Sequence, residues 1–353
     1  MNFCILRFLV HYSIFKKITP DGFIIRLTIM PSIVAYFLIG PTAVRKSSVA
    51  QWIAENAGYE ILSADSMLVY TGMDIGTAKP SAADRSSVRY HGINLTTPNK
   101  PFSVWAYRRY ACNALTESAL NGRKTIVVGG TGLYIKSLTD GLTLIPSSDP
   151  ELREYWTRAL EEKGVGVLQE ALREKSAVLY ESLRDKQNGR RLIRALELAE
   201  TGIEKPRKTW VRGAGYEVPS SQDAPLAGLM LPADQLKSSI ELRVAEMYRA
   251  GFVEEVRGLL ERYAELSFTA RQAIGYAEVI DFLNGRCSLE DAAARTVIRT
   301  RQLAKRQKTW FRNQADVRWI DIDIEMTTPE IAELVLDHWK KYGPTEIRCR
   351  SAS

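Results

Sequence analysis

The stretch that decides the fold is Ser32-Ile33-Val34-Ala35-Tyr36-Phe37-Leu38-Ile39, followed by Gly40-Pro41-Thr42-Ala43-Val44-Arg45-Lys46-Ser47. A continuous apolar run closed by Gly-Pro is the pattern of a strand buried on both faces of a parallel sheet. The next eight residues match the phosphate-loop pattern G-x-x-x-x-G-K-[ST], except that Arg45 stands at the second glycine, and a helix-compatible stretch runs from Ser47 to Asn56. Such a loop turns backbone N–H groups inward at a helix N-terminus, offers a lysine to the terminal phosphate and a hydroxyl to Mg²⁺. Lys46 and Ser47 supply the last two, although an ordinary strand-to-helix turn remains the other reading. If position 45 is left-handed, a side chain there costs about 1–2 kcal/mol. Its Cβ could crowd the phosphate, or its guanidinium could reach the anion; reduced activity is the expected consequence.

Working outward, strands are expected at Glu60–Ser63, Thr125–Val128 and Leu226–Leu231, ending in Ala64-Asp65, Gly129-Gly130-Thr131-Gly132 and Pro232. Strands alternating with helices imply an α/β doubly wound parallel sheet, which binds ligands at the carboxyl ends of its strands. Four strand ends thus nominate one site. From about Gly141 to Pro219 the pattern changes to charged amphipathic helices, near 150–163, 167–175 and 190–201. The expected organisation is an α/β core from 31–140 and 220–325, a helical insertion domain at 141–219, and a C-terminal helix and tail at 326–353. Residues 1–30 read as an extension. The apolar run Phe3 to Phe15 is broken by Arg7 and His11, falls short of the roughly 20 apolar residues of a membrane helix, and lacks signal-peptide flanks.

A chain of 353 residues, 45% hydrophobic and 25% charged, has the composition of about two globular domains, which excludes disorder and a multispan membrane protein. Lys plus Arg at 48 against Asp plus Glu at 41 permits a polyanionic partner. Cys4, Cys112, Cys287 and Cys349 form no C-x-x-C pair, so neither a disulfide framework nor a zinc site is expected, and a reducing cytosol fits best. His11, His91 and His338 have no ligand-spaced neighbours, which argues against a histidine-held metal.

Asp65 follows a buried strand, where it would face the phosphate loop and could take a proton from a nucleophile. A helix N-cap is the bland alternative. The turn-rich Gly72 to Pro80 suggests a shaped loop, with Lys79 either a phosphate contact or solvated. Between Asp291 and Asp316 there is no acidic residue but seven basic ones. Arg301, Lys305, Lys308 and Arg312 fall on one helical stripe, and without interleaved carboxylates this face favours a phosphate backbone over simple solvation. Arg190, Arg191 and Arg194 form a second basic cluster.

The blocks GPTAVRKS, DSMLVYTGMDIGTAKP from Asp65, VGGTGLYIKSL from Val128, NGRRLIRALE from Asn188, RQAIGYAEV from Arg271 and TRQLAKRQKTWFR from Thr300 come in the order seen in bacterial tRNA dimethylallyltransferases. The chain resembles that family from about Ile33 to Ile320. The resemblance implies a P-loop NTPase-like core with a helical C-terminal part, and transfer of a dimethylallyl group from dimethylallyl diphosphate to the exocyclic amine of the adenosine 3′ to the anticodon. It implies that the loop Gly40, Pro41, Thr42, Ala43, Val44, Arg45, Lys46 and Ser47 holds prenyl diphosphate rather than ATP, with Arg243 helping and Ser47 on Mg²⁺. Asp65, Thr42 and Lys46 become the catalytic set. Implied tRNA contacts are Asp65, Ser66, Met67 and Leu68, then Thr131 and Arg153, then Arg190, Arg191 and Arg194. Others are Arg271, Gln272, Gly275 and Tyr276, and in the last block Thr300, Arg301, Lys305, Arg306 and Gln307. No membrane is involved, and a cytoplasmic monomer is expected.

Two departures from the family pattern, Arg45 and Ser239 in place of an expected arginine, both fall on diphosphate binding. They keep two alternatives open: a catalytically weak tRNA-binding relative, and a small-molecule or nucleoside kinase whose insertion forms a lid over ATP.

Overall fold

The computed structural model describes residues 33–141, 149–183, 185–202 and 224–349, together with a two-stranded antiparallel ribbon, β1 (Ile14–Ile18) and β2 (Ile24–Thr28). The rest of the expected N-terminal extension lies outside the described residues. The chain divides into two units, residues 1–141 with 223–351, and residues 142–222.

The first unit is built on β3 (Val34–Ile39). From it the chain passes through the phosphate loop into α1 (Lys46–Ala57), then β4 (Glu60–Ser63), α2 (Ala82–Ser87), β5 (Tyr90–His91), α3 (Val104–Leu120), β6 (Thr125–Gly129) and α4 (Gly132–Thr139). Alternate residues of β3 enter two different cores, as the two-residue period of a strand dictates. Ala35, Phe37 and Ile39 pack with Tyr107, Leu115, Ile135 and Leu138 of α3 and α4. Leu38 packs with Val49 and Ile53 of α1. A strand covered on both faces has no room for polar side chains, which is why β3 reads as an unbroken apolar run.

The second unit holds α5 (Pro150–Lys163), α6 (Val165–Lys175), α7 (Ala177–Ser182) and α8 (Gly189–Glu200), closed around Trp156, Leu168, Leu172, Leu179, Leu192 and Leu196. Glu197 is buried inside it and is gripped by Arg153 (2.6 Å and 3.0 Å) and Arg194 (2.7 Å).

On return the chain forms β7 (Leu226–Met230), α9 (Ala233–Arg249), α10 (Phe252–Arg262), α11 (Phe268–Arg271), α12 (Tyr276–Leu283), α13 (Leu289–Gln314), β8 (Val317–Asp321), α14 (Thr328–Tyr342) and β9 (Thr345–Glu346). The sheet order is β5-β4-β6-β3-β7-β8, all parallel, with β9 antiparallel against the start of β3. Residues 326–353 were set apart in the sequence reading, but as far as they are described they belong to this unit. Ile331, Val335 and Trp339 of α14 complete the core over α1, and β9 joins the sheet. Among the described residues no helix is long and apolar enough to cross a membrane.

The fold also corrects the reading of the cysteines. Cys112 on α3 and Cys349 after β9, 237 positions apart, meet with Cα atoms 5.5 Å apart and their sulfurs paired. Spacing along the chain carries no sign of such a pair, because β9 creates it. Closing so long a loop restricts the unfolded chain, so the oxidised protein should be more stable by about 2–4 kcal/mol than the reduced one. Urea unfolding with and without dithiothreitol should show that difference in the wild type and none in Cys112→Ser; equal stability of the wild type in both conditions would refute a formed bond.

Candidate active site

At the carboxyl end of β3 the chain must turn sharply before α1. Gly40 has φ 142°, and a Cβ there would stand 2.6 Å from the Leu229 carbonyl oxygen of β7, so only glycine fits. Ala43 (φ 64°) and Arg45 (φ 61°) are both left-handed. The expected strain at Arg45 is therefore present, but its guanidinium goes to neither of the places considered for it. It donates to the Met326 carbonyl and, at 2.9 Å, to Thr328 Oγ1, bracing the loop against the start of α14. Arg45 thus belongs to the phosphate loop through its backbone, not its charge.

Lys46 is half-buried, with its ammonium donating to the Pro41 carbonyl. Desolvation lowers its pKa to about 7, Arg243 of α9 pushes it in the same direction, and Asp65 opposes both. Burial likewise lowers the pKa of Arg243, again opposed by Asp65. Lys46 after β3, Asp65 after β4 and Arg243 on α9 therefore lie within electrostatic reach of one another. Asp65 is not a helix cap. Its Oδ1 accepts the Met67 N–H (2.8 Å) in a local turn, and Thr131 Oγ1 accepts the Ser66 N–H (3.0 Å), tying the end of β4 to the end of β6.

Arg243 is held by a part of the site that sequence reasoning missed. Its guanidinium donates to the Thr77 carbonyl (3.4 Å) in the loop Gly72 to Pro80. That loop is clasped by Glu255 of α10, whose carboxylate accepts the N–H groups of Asp74 (2.9 Å), Ile75 (2.6 Å) and Gly76 (3.2 Å) and the Tyr276 hydroxyl (2.6 Å). Lys79 is neither a phosphate contact nor solvated: its side chain is 1% exposed and bonds Asp74, the Tyr70 carbonyl and Asn94. Nothing in the local pattern distinguishes Glu255 from other acidic residues on amphipathic helices.

Helix α13 starts at a Ser288/Asp291 capping box and buries Ala292, Thr296, Thr300, Ala304 and Phe311 along one stripe. Arg301, Lys305, Arg306 and Arg312 are exposed, Lys308 half-exposed, and none of the five forms an ion pair among the described residues. Arg295 and Arg299, by contrast, are engaged by Asp281 and Glu278. The geometry sorts the expected RNA contacts. Ser66, Met67, Leu68 and Thr131 are half-exposed past the ends of β4 and β6, and Arg190 and Arg191 are exposed in the helical unit. Arg271 and Gln272 are exposed beside a cavity of about 550 Å³ also lined by Arg295 and Arg299.

Six expected RNA contacts are corrected. Tyr276 is fully buried with its hydroxyl on Glu255, and Gly275 is a buried turn (φ 90°) against Phe252. Thr300 is buried with its hydroxyl on the Thr296 carbonyl. Arg153 and Arg194 are committed to Glu197, where removing one partner would leave a buried charge uncompensated. Gln307 turns inward to the phosphate loop.

Two outcomes follow from this geometry. Arg45→Ala keeps the left-handed strain and loses both anchors, so it should destabilise the protein by about 1–3 kcal/mol. Arg45→Gly relieves the strain and should recover about 1 kcal/mol of that in urea unfolding; equal effects would disprove the strut. Because Lys46 has a pKa near 7 without ligand and an anion beside it favours its charged form, binding of inorganic diphosphate at this loop at pH 8 should take up close to one proton. Calorimetry in buffers of different ionisation enthalpy measures this, and the uptake should vanish in Lys46→Met.

Residues 68–314 match the model of the IPP transferase family. A tRNA dimethylallyltransferase of Geobacillus thermodenitrificans is 40% identical over 317 residues, covering 88% of this chain and 96% of the relative. Among solved structures, the full-length tRNA isopentenylpyrophosphate transferase of Bacillus halodurans superposes with a TM-score of 0.60 at 32% identity, covering 88% of this chain and 98% of that one. A eukaryotic dimethylallyltransferase described as acting on tRNA gives 0.65 at 25% identity, covering 87% and 76%. With an α/β phosphate loop, a facing carboxylate and similarity over most of its length, the chain belongs to the IPP transferase family.

Proposed function

We propose that this protein transfers the dimethylallyl group of dimethylallyl diphosphate to the exocyclic amine of the adenosine 3′ to the anticodon of tRNA, releasing diphosphate. The observation that carries the reading is that the cations Lys46 and Arg243 and the carboxylate Asp65 lie within electrostatic reach of one another at the phosphate loop, to which the basic helix α13 is bonded through Gln307. Breaking the allylic C–O bond builds positive charge on the prenyl group and negative charge on diphosphate. Lys46, Arg243 and the backbone N–H groups of the loop from Ala43 to Ser47 stabilise the leaving diphosphate. The amine forms the new C–N bond, and Asp65 takes the proton it sheds.

Mg²⁺ is part of the proposal. The exposed Ser47 hydroxyl at the first turn of α1 is a hard oxygen donor, which suits an ion that takes most of its remaining ligands from substrate phosphates and water. Ser47 would hold it with the diphosphate, where it would neutralise developing negative charge. The unpaired cations of α13 would grip the phosphates flanking an extruded loop base, which costs less to unstack than a paired one. A monomer working in the cytoplasm, where its tRNA is found, completes the reading. A kinase would account for the phosphate loop but leaves the cationic stripe of α13 without a role.

Incubating unmodified tRNA with radiolabelled dimethylallyl diphosphate and Mg²⁺, alongside ATP, tests this directly. Label should enter tRNA; ADP formation without label would favour the kinase, and tRNA retention without label a silent binder. Asp65→Ala should lower turnover by at least about 100-fold with tRNA affinity within a few-fold; intact turnover would remove Asp65 from the chemistry.

A further inference from the structure

The cations of α13 point to solvent, yet one polar side chain of the same helix points to the phosphate loop. The Thr42 N–H donates to Gln307 Oε1 at 2.8 Å, and Gln307 Nε2 donates to the Gly130 carbonyl at 3.1 Å. Thr42 lies just past β3 and Gly130 just past β6, two adjacent parallel strands, so a single carboxamide spans the two strand ends. A Cβ at position 130 would stand 2.3 Å from Nε2, so the absence of a side chain at Gly130 is what admits Gln307.

We propose that Gln307 is a positioning residue for the diphosphate half of the reaction and not an RNA contact. This rests on the function proposed above. The carboxamide braces the phosphate loop at Thr42 against the carbonyl of Gly130 and so sets the spacing of the N–H groups that must meet the leaving diphosphate. The loop needs such a brace because Ala43 and Arg45 both hold left-handed backbone conformations that relax once the surroundings release them. A preorganised cradle binds its anion more tightly than one that must be ordered on binding. The opposite role, a placeholder that the diphosphate displaces, would make removal of the side chain strengthen binding.

Calorimetric titration of inorganic diphosphate into the full-length protein separates the two. Gln307→Met, which keeps the length without the hydrogen bonds, and Gln307→Ala should each weaken binding by about 5–10-fold, the loss of one to two hydrogen bonds. The donor KM should rise in parallel, while tRNA affinity stays within twofold. Paired Lys305→Ala and Lys308→Ala should do the reverse, weakening tRNA binding and flattening its salt dependence with diphosphate affinity intact. Unchanged or tighter diphosphate binding in the Gln307 variants, or a loss confined to tRNA, would overturn the proposal. Gln307→Glu, which retains the acceptor for Thr42, covers the case in which the apolar variants do not fold. The titration needs no transfer, so a wild type that binds diphosphate but does not prenylate tRNA would refute the function reading alone.

Discussion

Two cations, Lys46 and Arg243, lie within electrostatic reach of each other and of one carboxylate, Asp65. Burial disfavours the charged forms of Lys46 and Arg243, and the two cations repel each other, which is why Lys46 has a pKa near 7. Such a site is incomplete without an anion. A diphosphate placed between the cations turns repulsion into attraction and restores the charge on Lys46, so the free energy withheld from the empty fold becomes available for binding. The surrounding structure must hold the unfavourable arrangement in place until the ligand arrives.

That holding is distributed over elements remote in sequence. Arg45 ties the phosphate loop to α14, Glu255 of α10 clasps the loop whose Thr77 carbonyl steadies Arg243, and Gln307 of α13 spans the ends of β3 and β6. Each brace works by satisfying backbone groups that would otherwise be unpaired in a partly buried loop. Side chains from 45, 255 and 307 thus serve one small volume, and α13 carries both a brace and the solvent-facing cations suited to a polyanion.

Local pattern revealed much of this. The apolar run Ile33 to Ile39 announced a strand covered on both faces, and both faces of β3 are indeed in hydrophobic cores. The acid-free stretch after Asp291 marked a helix on which Arg301, Lys305, Arg306, Lys308 and Arg312 form no ion pair among the described residues. Other assignments failed where a residue's role depends on what packs against it. Tyr276 looked available to RNA but is sealed by Glu255, and Lys79, read as either a phosphate contact or a solvated side chain, is enclosed by Asp74, Tyr70 and Asn94. Arg153 and Arg194 looked like RNA contacts but neutralise a buried glutamate 44 and three positions away.

By itself the sequence determined the α/β frame, the phosphate loop at Gly40 to Ser47, the carboxylate at Asp65 and the basic helix, because each is written in hydrophobic period, glycine placement or charge runs over a few neighbouring residues. Tertiary structure alone decided where the guanidinium of Arg45 points, that Gln307 faces the loop, and that Cys112 meets Cys349. Those outcomes rest on contacts between residues more than two hundred positions apart. The direction of a long polar side chain is set by the nearest unsatisfied backbone group, and only the folded chain says which group that is.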